Sequence, residues 1–77
     1  MITQVYNMLK DSALADKSKA LLSLELLSNH AVGIGDHSTG DFYKNAEEAL
    51  VMLVDADDRL NALEKYFNKP TKEIINE

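Results

Sequence analysis

The chain has 77 residues and no cysteine, with eight Lys and Arg against thirteen Asp and Glu, for a net charge of −5. One domain is all this length allows, and so short a chain removes only about 60% of its unfolded surface from water when it folds alone. No disulfide framework or thiolate metal site can supplement such a core, so self-association is the expected remedy. The excess of carboxylates argues against nucleic acid and against anionic membrane surfaces, since both call for clustered Lys and Arg.

The start of the chain, Met1-Ile2-Thr3-Gln4, lacks the basic stretch, apolar run and small-residue cleavage site of a secretory signal. A soluble cytoplasmic protein is therefore expected. Residues 2–10 carry Ile2, Val5, Tyr6, Met8 and Leu9 in a loose helical pattern, and Asp11-Ser12 offers a boundary before a longer helix near residues 13–29. With no Gly or Pro between Met1 and Val32, propensity leaves open whether this region is one helix or two. The expectation adopted is a short N-terminal helix followed by the longer one. In the longer helix Ala20, Leu24 and Leu27 form a narrow seam, while Leu21, Leu22 and Leu26 spread apolar character over most of the circumference.

All three glycines and both histidines fall in the stretch from His30 to Gly40, which separates two helical patterns. Gly33 fits a helix C-terminal stop and Gly35 a turn, because glycine reaches positive φ without a Cβ penalty. His30, Asp36, His37 and Asp41 carry atoms suited to a divalent metal, but their spacing matches no established ligand pattern. Loop hydrogen bonds, and a cation near the negative end of the first helix, account for them without a ligand. The corner lacks the further glycine and the Lys of a phosphate loop, and its aspartates oppose an anion. Residues His30, Gly33, Gly35, Asp36, His37 and Asp41 thus form a candidate loop site for a small ligand or metal, with no metal or other cofactor expected in the resting protein.

From Phe42 to Phe67 alternate steps of four and three meet only apolar residues: Phe42, Ala46, Ala49, Leu53, Ala56, Leu60, Leu63 and Phe67. The spacing predicts a long helix over about 39–67. Ser38 is its expected N-cap, with Asp41 in a variant capping box, and Asn68 and Pro70 mark its end. Residues 69–77 are expected to fray. Three alanines in the stripe suit close antiparallel packing inside a small bundle better than a zipper with an outside partner. Leu53 in the stripe is expected to be buried, so that truncating it to Ala should cost about 2–5 kcal/mol. Residues 49–54 are apolar right round the helix, and two such helices cannot cover each other. A homodimeric four-helix bundle answers both excesses, with Leu24, Leu27, Leu50, Leu53, Val54 and Leu60 as candidate interface positions.

Acidic residues concentrate in the second half: residues 30–67 hold eight acids against three bases. Asp55, Asp57 and Asp58 form the densest group, and Arg59 stands four residues after Asp55, within reach of an ion pair. Asp57, flanked by Leu53 and Leu60, is placed to accept a hydrogen bond across the seam from Lys17, Lys19 or Tyr43. A solvated acidic face explains the cluster; docking onto a basic partner is the sharper alternative. Neither histidine belongs to a nucleophile motif, so no catalytic residue is assigned.

The run from Ala20 to the Val32-Gly33-Ile34-Gly35-Asp36-His37 corner, with the acidic helix through Asp57-Asp58-Arg59-Leu60 to Tyr66-Phe67, resembles a group of small uncharacterised helical proteins encoded by marine tailed phages. The resemblance spans residues 20–67, and such proteins tend to have proline where this chain has Ala31. It implies a viral protein in the host cytoplasm and a helical hairpin, and it carries no activity. The resulting expectation is a single all-α domain over residues 1–77. It would act as a non-enzymatic interaction or assembly protein, an accessory factor binding a host protein, with ligand or metal binding at the corner as the alternative.

Overall fold

The computed structural model describes residues 1–30 and 39–67. They form two helices, α1 (Thr3–His30) and α2 (Thr39–Phe67), packed against each other as an antiparallel hairpin. The hydrogen-bond ladder of α1 opens at Ile2, whose carbonyl accepts from the Tyr6 N–H at 2.9 Å.

The expected division of the N-terminal half into two helices is not found: α1 runs unbroken through Asp11-Ser12. The absence of Gly and Pro leaves nothing to interrupt the ladder, and Ala13, just past the expected boundary, is buried against α2 and ties this stretch to the hairpin. The seam of α1 accordingly begins earlier than Ala20. Tyr6, Ala13, Ala20 and Leu27 recur every seven residues, with Tyr6 and Leu27 half-buried and the two alanines completely covered. Leu24 is half-buried beside them.

The stripe of α2 faces α1 as its spacing predicts, but burial along it is uneven. Ala49, Ala56 and Leu63 are buried, whereas Phe42, Ala46, Leu53 and Leu60 are half-buried. Leu53, expected to be buried, is thus only half-covered. Phe67, the last member of the stripe, is 41% exposed at the open end of the hairpin, where Leu9 of α1 borders the same groove.

Four alanines and Leu63 are the whole buried apolar set among the described residues, and no large side chain is fully covered. Methyl groups facing one another let two helix axes approach to about 8 Å, the short end of the usual range. That closeness fixes the pairing but buries little. A buried CH₂-sized group contributes about 0.8 kcal/mol, while ordering one residue's backbone costs about 1–2 kcal/mol.

Helix α2 begins one residue after Ser38, the expected cap, which itself lies outside the described residues. Asp41 sits exposed in the first turn, where a carboxylate suits the positive end of the helix, and Lys65 in the last turn suits the negative end. Gly40 occupies a helical position of the first turn without positive φ, and a Cβ built there meets nothing within 4 Å. Gly40→Ala should therefore raise stability by about 0.5–1 kcal/mol through the lost freedom of the unfolded chain. Thermal melts of the two proteins under identical conditions check this, with an unchanged or lower midpoint as the contrary result.

Candidate interaction surfaces

Two ion-pair groups flank the alanine seam on opposite sides. On one side the Arg59 Nη2 donates to Asp16 Oδ2 at 2.7 Å, and its Nε donates to Asp55 Oδ2 at 3.0 Å. The Asp55 contact follows from helical i, i+4 spacing, but Asp16 lies 43 residues away and is reached only through the hairpin register. The hydrogen bond to Asp16 raises the Arg59 pKa further above its ordinary value. Desolvation opposes that shift, and the charges of Asp55 and Asp16 add to it. On the other side Lys17 Nζ lies 3.2 Å from Asp57 Oδ1. Of the three donors the sequence offers Asp57, the structure selects Lys17. Both residues are half-buried with side chains still open to solvent, and surface pairs of that kind contribute about 0–1 kcal/mol. Their value here is to mark the register.

The two groups define an arginine face and a lysine face. The arginine face is mixed. Near the segment joining the helices a shallow open groove is lined by Ser23, Leu26, Asn45, Glu48 and Met52, and near the open end another is lined by Leu9, Ser12, Arg59, Ala62 and Phe67. On the lysine face four large apolar residues gather around the Lys17–Asp57 pair. Leu14 and Leu21 of α1 lie on the Lys17 side of the seam, one turn before and one turn after Lys17, and Leu50 and Val54 of α2 lie on the Asp57 side. These four side chains are 41%, 48%, 53% and 51% exposed. Counting five residues on from Asp16 and five back from Arg59 puts Leu21 level with Val54. Val51, exposed on the outer side of α2, joins Leu50 and Val54 in an open depression bordered by Asp55 and Asp58.

The candidate interface positions therefore separate into two sets. Leu24, Leu27, Leu53 and Leu60 are half-buried along the seam inside the hairpin, and Leu50 and Val54 are exposed. The breadth of apolar character in residues 49–54 is thus a property of both sides of α2 at once. Leu14 was not singled out in the sequence, where its neighbours Ala13 and Ala15 dilute the pattern; only the seam's position reveals the face it shares with Leu21.

Of the candidate corner site, Asp41 alone is fully described, exposed in the first turn of α2. His30 ends α1 and its side chain lies outside the described residues, as do Gly33, Gly35, Asp36 and His37. The expected positive φ at Gly33 or Gly35 falls there too. Among the described residues no group of three or more His, Cys, Asp or Glu is arranged to hold a metal ion. No described helix is long and apolar enough to cross a membrane. Comparison with protein-family models, with curated proteins and with solved structures found no match for this chain.

Proposed function

We propose that this chain is a non-enzymatic interaction or assembly protein whose working surface is the exposed apolar covering of its hairpin. The observation that carries this reading is the mismatch between core and surface. The buried set is four alanines and one leucine, yet Leu14, Leu21, Leu50 and Val54 are left exposed on one face of the hairpin. Contiguous apolar surface of this kind marks a site of association, whereas scattered single residues do not. Self-assembly comes first, because a short hairpin with a methyl-lined seam needs a further layer to cover its leucines. In the viral setting that the phage resemblance implies, the assembled protein acts as an accessory factor on a host protein.

Sedimentation equilibrium at micromolar concentration tests the assembly reading. The expected result is a mass at least twice the 8.6 kDa of one chain, with a melting temperature that climbs with protein concentration, as mass action requires when folding and association are coupled. A single-chain mass with a cooperative, concentration-independent melt would overturn it.

A further inference from the structure

We infer that the lysine face is covered by a second copy of this chain, related to the first by a two-fold axis that runs along the helices. The inference rests on the assembly reading above and goes beyond it by naming the face and the symmetry.

Charge placement selects this arrangement. Next to the seam on the α1 edge of the lysine face stand Lys10 and Lys17, seven residues apart, with Ser18 and Glu25 farther out. Next to the seam on the α2 edge stand Asp57 and Glu64, also seven apart, with Asn61 farther out beyond Val54, and the Lys17–Asp57 pair fixes the two edges at the same levels. A two-fold axis parallel to the helices interchanges the edges. Each lysine then lies against the partner's carboxylates at its own level, and Leu21 lies against the partner's Val54. A two-fold axis across the helices would instead stack basic edge on basic edge and acidic on acidic. The self-complementarity that an isologous interface demands is thus met by the first arrangement alone.

Polarity and size agree with the charges. The arginine face is crossed by the Asp16–Arg59–Asp55 group, and its grooves include Ser12, Ser23, Asn45 and Glu48. Leu14, Leu21, Leu50 and Val54, each between 41% and 53% exposed, supply the lysine face with large apolar side chains to cover. Helices of this length present a face about 40 Å long and about 20 Å wide. That is on the order of 800 Å², the share each partner contributes to a stable interface. All neighbouring helices in the resulting four-helix bundle run antiparallel, as in up-and-down bundles.

Because the chain has no cysteine, single-cysteine variants report contacts cleanly. Leu21→Cys and Val54→Cys, mixed in equal amounts, allowed to exchange and oxidised with diamide, should give a disulfide-linked dimer containing one of each variant. Met52→Cys, on the arginine face, should stay uncrosslinked under the same conditions. In parallel, Leu21→Glu should weaken self-association roughly a hundredfold or more, since it sets a carboxylate against the partner's apolar surface. A dimeric mass with cross-linking through Met52→Cys and none between Leu21→Cys and Val54→Cys would overturn this inference while leaving assembly intact. A monomeric parent chain would overturn both. A dimer in which Leu21→Cys links chiefly to itself would retain the face and overturn the axis.

Discussion

Ala56→Leu should unfold the hairpin or come close to it. Ala56 is completely covered, and its methyl stands where α1 brings Ala20, also completely covered, to nearly the same level. Three added carbons have no void to enter, so the helices must part along the seam. Overpacking of a well-fitted core costs about 1–3 kcal/mol and sometimes more. The consequence is larger in this fold because one seam holds both helices: parting them at Ala56 also loosens Ala49 and Leu63 one heptad to either side. Ala20→Leu should act alike, and both variants should lose helical circular dichroism at temperatures where the parent retains it. Ala15→Leu, an exposed position on the same helix as Ala20, is the control, and its melt should match the parent's within about 0.5 kcal/mol. A parent-like melt for Ala56→Leu would mean that the helices do not meet along this line.

Leu63→Ala carries the second large effect. Leu63 is the one large side chain in the buried set, 7% exposed, and lies near the level of Ala13. Truncation removes its transfer free energy and leaves a cavity beside an alanine too small to fill it, for about 2–5 kcal/mol in total. Leu53→Ala should cost less, because Leu53 is half-buried and the solvent already reaches part of it. Chemical denaturation of the two variants side by side checks the order. A larger loss at Leu53 than at Leu63 would place the centre of the seam elsewhere, or would show that Leu53 is covered by an associated chain.

The helix from Thr39 to Phe67 was legible residue by residue, since a stripe of eight apolar positions at heptad spacing leaves one face to choose. The first helix was harder to read for a physical reason. Its seam is drawn by alanines, while its most apolar side chains, Leu14, Leu21 and Leu22, lie to the side of the seam or behind it. Hydrophobic periodicity follows the large residues and so blurs a contact line made by small ones. Ala20, Leu24 and Leu27 were nevertheless identified, and Ala13 and Tyr6 were lost when Asp11-Ser12 was taken as a boundary. Ion pairs divide in the same way. Arg59 with Asp55 follows from helical spacing, Asp57 was recognised as a residue on the flank of the seam, and Asp16 required the register of the hairpin. Corner residues Gly33 to His37 fall outside the described residues, so their part in a ligand site stands where the sequence left it.

The constant register of the antiparallel seam also governs how the chain reaches its fold. Leu27 and Ala49, which line one groove, close a loop of about 20 residues, and Asp16 with Arg59 closes one of 43. Loop-closure entropy grows only with the logarithm of length, so roughly doubling the loop adds only about 0.6 kcal/mol. Once the layer at Leu27 and Ala49 has formed, each further heptad joins at little additional entropic expense, and the hairpin closes like a zip toward Val5 and Phe67. Helical chains with such local contacts fold in microseconds to milliseconds. Opening runs the other way, from the ends that hold the least buried surface. The alanine columns thus set an order of events in time as well as a spacing in space: residues near Leu27 and Ala49 are first to be captured and last to be released.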